Sequence, residues 1–395
     1  MKRIFEGVKG FKPKKSAFDL SHEKKLSLKF GNLTPVLAID TVPGDQFSCK
    51  SEIMLRLAPM ISPIMHRVNV FMHYFFVPNR IIWNQWEDYI TGGDQPSSNP
   101  PAQPPTVTGS SPGTAGIGTV WDYFGLPIYD PASTNDAVVN ALPFRAYQQI
   151  FNDYYRDENQ DDEIDITLDD NTTMQIRARR WEKDYFTSAL PFAQKGPEVP
   201  LPIDNEITYK NITEVYTQNG DRGDTDSPIN SNSVGNLSGA ITSFGTEPIR
   251  VENLEGIDSG VTIEDLRRSA RLQEYFEILA RAGSRYKEYL LSFFGVRSSD
   301  ARLDRAEYIG GGVQPVVISE VLNTVGVQGQ APQGEMAGHG IAVGGNNTFK
   351  YTVEEEGWII GIMSVLPKTA YRQGIPRPFL RGLIDGKYDY FNYKF

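Results

Sequence analysis

The chain has 395 residues, a net charge of −10, 39% hydrophobic and 22% charged residues, and a single cysteine, Cys49. That composition excludes wholesale disorder, an intrachain disulfide and a cysteine-built metal cluster. The 36 glycines and 26 prolines favour an all-β chain with long connections over a helical bundle.

The N-terminus is the first distinct segment. Residues 1–30 hold nine basic side chains (Lys2, Arg3, Lys9, Lys12, Lys14, Lys15, Lys24, Lys25, Lys29) against three acidic ones, a net +6, which leaves −16 for the remainder. A basic arm on an acidic body suits a polyanion on one side and solvent on the other, while the plainer reading is a solvated terminus. Phe5, Phe11 and Phe18 interleave with the lysines. Such interleaving can join phosphate contacts to base stacking, and equally can pin the arm beneath a neighbouring subunit.

Residues 46–59 and 66–77 read as strands, with Val68, Val70, Met72 and Tyr74 on one face of the second. A short amphipathic helix is predicted over 80–90, and 92–119 reads as a Gly/Pro/Ser/Thr loop without periodicity. Residues 143–156 are predicted helical, with Pro143 at the start and Phe144, Tyr147, Ile150, Phe151 and Tyr154 at helical spacing. The Asn/Ser/Thr/Gly/Asp-rich stretch 203–260 reads as an exposed insertion. Thr262 and Asp265 then form a capping-box pattern ahead of a helix carrying Leu266, Ala270, Leu272, Tyr275, Phe276, Leu279 and Ala280, which Gly283 breaks; a further helical stretch covers 286–294. Strands return at 313–322, 348–353 and 357–366, with Gly310, Gly311 and Gly312 as a flexible approach to the first. The pattern fits a β-sandwich with expanded connections, and a parallel α/β sheet poorly.

Catalytic spacings are not found. No P-loop is present, and the glycines at 113, 116 and 118 lack a strand-then-helix frame. His22, His66, His73 and His339 form no zinc motif; His66 and His73 are placed on opposite faces of a strand and His339 in a loop. The acidic stretch 157–170 matches an EF-hand at Asp157, Asn159 and Asp161, but has Asp162 where Gly is needed and Leu168 where Glu is needed. A solvated acidic hairpin is the preferred reading, with a loosely bound calcium ion the alternative. No cofactor is expected. The Arg222-Gly223-Asp224 triplet reads as coincidence, and the apolar runs are too short to cross a bilayer.

Five segments carry a resemblance: 142–159 (LPFRAYQQIFNDYYRDEN), 180–196 (RWEKDYFTSALPFAQKG), 300–312 (DARLDRAEYIGGG), 334–340 (GEMAGHG) and 362–376 (IMSVLPKTAYRQGIP). Together, in this order, they resemble the major capsid proteins of the microvirus family, especially its gokushovirus-like branch. The resemblance implies an all-β fold with large helical and loop insertions, an eight-stranded antiparallel viral jelly roll. It further implies a T=1 shell of sixty copies around circular single-stranded DNA, a small basic packaging protein and a host surface receptor.

On that reading residues 1–30 are an arm facing the capsid interior and 31–395 the jelly-roll domain. The domain carries a long loop at 92–119, helix-containing insertions at 140–200 and 262–294, and an exposed insertion at 203–260 that builds a threefold protrusion. Lys2, Arg3, Lys9, Lys12, Lys14 and Lys15 are the expected DNA contacts. Tyr147, Phe151, Tyr154, Tyr185, Phe186 and Phe192 are expected to divide between core and subunit interface. The protein is expected in the virion, made in the bacterial host cytoplasm, without membrane insertion and without enzymatic activity. Family members continue past the Asp-Tyr-Phe seen here at 389–391, so the end at Phe395 reads either as a trimmed protein or as a fragment. A jelly-roll hydrolase or carbohydrate binder would need a paired-carboxylate cleft or a metal site. A host-attachment spike would account for 203–260 but not for the matches elsewhere.

Overall fold

The computed structural model describes residues 16–91, 103–132, 137–167, 174–184, 187–188, 190, 192, 194–200, 262–282, 285–324, 334–371, 374–375 and 379. Between 201 and 261 it describes only the backbone of four short strands. Two compact units emerge, one of Met1–Ala189 with Val296–Phe395, the other of Leu190–Gly295.

In chain order the strands are β1 (Thr34–Thr41), β2 (Gln46–Arg56), β3 (Val68–Pro78), β4 (Thr106–Thr108), β5 (Val138–Asn140), β6 (Val215–Thr217), β7 (Asn230–Ser231), β8 (Leu237–Ser238), β9 (Ile249–Val251), β10 (Glu307–Leu322), β11 (Met336–Thr352) and β12 (Gly357–Pro367). Six of them form one antiparallel sheet in the order β1-β12-β3-β10-β11-β2; β4-β5, β6-β9 and β7-β8 are separate antiparallel pairs.

The sheet curls. In a flat sheet β3 and β2 would stand about 14 Å apart, three strand spacings, yet the Tyr74 hydroxyl donates to Ser51 Oγ at 2.6 Å. Tyr74 also meets Phe349 with ring centroids 4.7 Å apart, and Phe76 meets Tyr351 at 5.1 Å. Curling encloses the inner core: Leu55, Val68, Val70, Met72, Tyr74, Phe76, Val316, Ala342, Phe349, Ile359, Met363 and Val365. The other faces of β3 and β12 contribute Phe75, Val77, Ile360 and Ile362 to an outer core with Trp121, Phe144, Tyr147 and Ile150. Because β3 is covered on both sides, its sequence VNVFMHYFFVP is almost continuously apolar, whereas half-covered β2 alternates.

Several expectations are corrected. Gly310, Gly311 and Gly312 lie inside β10, paired with Tyr74, His73 and Met72. A Cβ at Gly310 would sit 2.7 Å from the Thr348 carbonyl oxygen, and one at Gly312 would sit 2.3 Å from Asn347 Oδ1. The glycines therefore answer crowding between strands, not a need for a hinge. His339 is in β11, not a loop, and His66 precedes β3. The helix expected over 80–90 is two short ones, Asn79–Ile82 and Trp86–Thr91, because Trp83 leaves helical geometry at φ −153°. The described part of the 92–119 loop holds β4 and a helix at Pro112–Ala115 capped by Ser111. Helix 143–156 becomes an α-helix over Leu142–Ile150 continued by a π-turn over Phe151–Tyr155.

In the second unit, helix Ile263–Ala282 begins at the expected capping box: Asp265 N–H donates to Thr262 Oγ1 at 3.1 Å, and Thr262 N–H donates to Asp265 Oδ2 at 3.2 Å. Gly283 lies outside the described residues, and helix Tyr286–Phe294 follows. Among the described residues no helix is long and apolar enough to cross a membrane.

Candidate assembly and nucleic-acid surfaces

Helix Leu142–Ile150 starts where Asn140 Oδ1 accepts the Leu142 N–H at 2.9 Å, and Pro143 stands in the first turn where no intrahelical donor is needed. Phe144, Tyr147 and Ile150 then point into the outer core. Tyr147 is 0% exposed. Its hydroxyl donates to the Leu33 carbonyl at 2.7 Å and accepts the Arg177 N–H at 3.0 Å. Burial raises its pKa, so the phenol stays neutral. Of the six aromatics considered for core or interface, Tyr147 thus belongs to the protomer's own core, with no surface left for another subunit. Phe151, Tyr154 and Phe192 are half-buried; Tyr185 and Phe186 lie outside the described residues.

At the end of the π-turn, Tyr155 reaches β3: its hydroxyl and His73 Nδ1 are 2.7 Å apart. Above them the Arg179 guanidinium lies 4.0 Å from the Phe71 ring centroid and donates to Ser364 Oγ at 3.3 Å. Burial, and secondarily the Arg179 charge, hold the His73 pKa down at about 4. The imidazole is therefore neutral at neutral pH and works as a packing and hydrogen-bonding group.

The acidic stretch after this turn is met by cations. Lys183 Nζ pairs with Asp157 at 2.5 Å, and Arg180 Nε donates to Asp161 Oδ2 at 3.0 Å. Partial burial is the largest single influence and would raise the Asp157 pKa, but Lys183, the Asn159 N–H and Arg180 together outweigh it and the net shift is downward. Asp184 Oδ2 accepts from Thr369 Oγ1 at 2.9 Å and from the Tyr371 hydroxyl at 2.6 Å. Farther along the chain, Asp153 Oδ2 accepts the Ala306 N–H at 2.9 Å and the Tyr154 hydroxyl donates to the Ala306 carbonyl at 2.6 Å. Four of the segments that carried the resemblance thus bond to one another. Among the described residues no group of three or more His, Cys, Asp or Glu side chains is placed to hold a metal.

Lys2, Arg3, Lys9, Lys12, Lys14 and Lys15 lie outside the described residues. From Ser16 to residue 29 the arm has no regular secondary structure. Lys24 Nζ donates to the Tyr123 carbonyl, the Tyr123 hydroxyl donates to the Ser27 carbonyl at 3.0 Å, and Leu26 and Leu28 pack on the inner core. Phe18 stands in solvent, 81% exposed.

A second surface escaped the sequence reading. On the convex side of β10, β11 and β2, Val317, Val343 and Met54 are 67%, 73% and 71% exposed. The signal was present in VQPVVISEVL (313–322), whose apolar residues fall on both strand faces although only one can meet the inner core.

A strand-rich chain whose described polar groups tie segments together, and which leaves an apolar sheet face open, has the character of a structural protein that works by contact. Residues 7–395 match the family described as Capsid protein (F protein). The capsid protein VP1 of Chlamydia phage 1 is 30% identical over 466 aligned residues, which cover 99% of this chain and 77% of that protein. The capsid protein VP1 of Bdellovibrio phage phiMH2K is 31% identical, with 96% and 74% covered, and that of Spiroplasma virus 4 is 29% identical over the same shares. The chain belongs to the capsid protein (F protein) family of microviruses, on its gokushovirus-like side. It is a phage capsid protein and so a component of the virion.

Proposed function

We propose that sixty copies of this chain assemble into a T=1 icosahedral shell around a circular single-stranded DNA genome, and that the chain has no enzymatic activity. The observation that carries this reading is the family match over residues 7–395, supported by capsid relatives that align along nearly the whole chain. The sheet favours a jelly-roll body: the first and last strands, β1 and β12, lie side by side, with β3 on the other flank of β12. A full jelly roll has eight strands, two more than this sheet holds among the described residues.

Within the shell, Lys2, Arg3, Lys9, Lys12, Lys14 and Lys15 contact DNA phosphates without sequence preference, helped by the small basic packaging protein. The insertion 203–260 builds the threefold protrusion and meets the host receptor. Synthesis takes place in the bacterial cytoplasm. Calcium at 157–170 would have to displace Lys183 and Arg180 from their carboxylates, so the shell is proposed to work without it.

The test is expression of the full chain, followed by negative-stain microscopy and nuclease digestion. Closed particles with protected DNA are the expected result, and discrete monomers or fibres with nuclease-sensitive DNA refute it. Deleting residues 2–15 tests the arm directly: DNA per particle should fall, and unchanged packaging refutes the arm as the DNA contact.

A further inference from the structure

β3 and β12 are covered on both faces, whereas β10, β11 and β2 are covered on one. Their concave side sends Leu55, Val316, Ala342 and Phe349 into the inner core. Their convex side carries Val313, Val317, Val321, Val343 and Met54, all more exposed than buried. The strand register gathers these side chains, for Val317 pairs with Ile341, Val321 with Ala337 and Val343 with Met54. Directly paired residues on one face stand about 5 Å apart and alternate ones about 7 Å, so Val313, Pro315, Val317, Ile341, Val343 and Met54 form a strip across three strands, with Val321 beyond the Ser319–His339 pair. Charged side chains stand at its β2 edge, at Arg56 beside Ile341 and at the Lys50–Glu52 pair, and His339, paired with Ser319, interrupts it between Val317 and Val321.

The size of the strip points to a partner. A fully buried aliphatic side chain removes roughly 60–120 Å² from water, from about 1.5–3 kcal/mol at about 25 cal/mol per Å². With the four valines and Met54 about two-thirds exposed, the strip presents about 200–400 Å² of apolar surface. Apolar patches of a few hundred Å² are among the largest that soluble monomers expose and are often functional. The area is about a quarter to a half of what one partner gives to a standard interface.

Resting on the shell reading above, we propose that this convex face docks against a second copy of the chain. The occupant follows from the character of the strip and of the family. A charge-poor apolar face can meet an identical surface without needing charges of opposite sign. It is built on paired strands, so little conformational entropy is lost on contact. An area below that of a stable dimer suits a shell, in which weak contacts with several neighbours add up to a persistent particle.

The test uses the full chain carrying V317D and V343D together. Both positions face solvent, so the variant should fold with an unchanged melting curve, while particle yield on a density gradient falls at least tenfold. Val317→Ile with Val343→Ile should retain wild-type yield. If the aspartate variant assembles at wild-type yield, the inference is overturned.

Should the aspartate variant misfold, V343C in a C49S background provides the measurement. Its labelling by a small maleimide should be at least tenfold slower in particles than in free subunits, and equal rates overturn the inference. A wild-type chain that forms no particles at all refutes the shell reading instead, so the two failures are distinguishable.

Discussion

Replacing Tyr147 by phenylalanine removes one oxygen from the outer core and leaves the ring in place. That oxygen has two bonds, to the Leu33 carbonyl at 2.7 Å and from the Arg177 N–H at 3.0 Å. Both partners belong to a small strand-like pairing of residues 31–33 with 177–179, in which Leu33 N–H donates to the Arg177 carbonyl at 2.8 Å and Asn32 bridges to Ala178. Tyr147 is the group that fastens this pairing to the helix. Tyr147 and Leu33 are both 0% exposed, so water does not replace the hydroxyl. Replacing both partners of a hydrogen bond by apolar groups can be nearly neutral, whereas a buried donor or acceptor left behind costs about 1–3 kcal/mol. Two such groups give an expected loss of about 2–6 kcal/mol. Tyr154→Phe removes a hydroxyl that serves the Ala306 carbonyl and neighbours Asp300, at a half-buried position where water can take its place, and should cost about 1 kcal/mol.

Urea unfolding of dissociated subunits, followed by tryptophan fluorescence, gives the midpoint shift at constant slope. A Tyr147→Phe loss under 0.5 kcal/mol, or one smaller than that of Tyr154→Phe, would refute the reasoning.

Three further outcomes are expected. His73, with a folded pKa of about 4 against an ordinary 6.5, takes up a proton on unfolding when the pH falls below 6.5; stability should therefore drop by about 1.4 kcal/mol per pH unit between 6.5 and 4, and His73→Gln should flatten that limb of the pH–stability curve. An acid limb identical to wild type would contradict the assignment. Gln314 is 7% exposed, and neither atom of its carboxamide has a hydrogen-bond partner among the described residues, so Gln314→Leu should be neutral or stabilising by about 1–2 kcal/mol; a loss above 1 kcal/mol in urea unfolding counts against this. A Cβ on Gly361 would lie 2.9 Å from Leu37 Cβ and 3.1 Å from the Tyr74 ring, so Gly361→Ala should cost about 1–3 kcal/mol by thermal or urea melting, while Gly345→Ala, facing the movable Glu52 side chain at 3.3 Å, should cost far less.

What the sequence made legible depended on how local each signal was. The 262–282 helix announced itself because its cap and first turns are a property of neighbouring residues, Thr262 and Asp265 above all. β12 and β3 could be read because a strand covered on both faces is almost uninterruptedly apolar. The Gly310–Gly312 run misled because the same residue type serves a turn and a close crossing of strands, and only the partners Phe349, Met72 and Asn347 decide between them. Spacing marked Tyr147 and Tyr154 as apolar-facing, but periodicity does not say whether the cover comes from the same chain. For Tyr147 it is Leu33 and Arg177, distant in sequence and brought close by the curled sheet. The convex strip was missed because an outward valine is recognised only once the inward face is known.

The segments that carry the family resemblance are also the ones that bond to one another, and this bears on why such motifs persist in a protein whose work is contact. Asp153 and Tyr154 of the first segment hold Ala306 of the third. Asp157 and Asp161 of the first hold Lys183 and Arg180 of the second. Asp184 of the second holds Thr369 and Tyr371 of the last. Among the described residues none of them belongs to a group of three or more His, Cys, Asp or Glu side chains placed to hold a metal. Asp184 joins the long connection between β3 and β10 to the segment after β12, Asp153 fixes that connection at the start of β10, and Asp157 and Asp161 tie two parts of it together, so losing one would leave a polar partner unpaired. Removing one such tie therefore changes where the connection sits relative to the sheet. A subunit that repeats the same contacts around every symmetry axis tolerates little displacement of that kind, because an error in one copy recurs in all. On the shell reading proposed above, these charge-dense motifs are inferred to fix the shape of the surfaces that assemble.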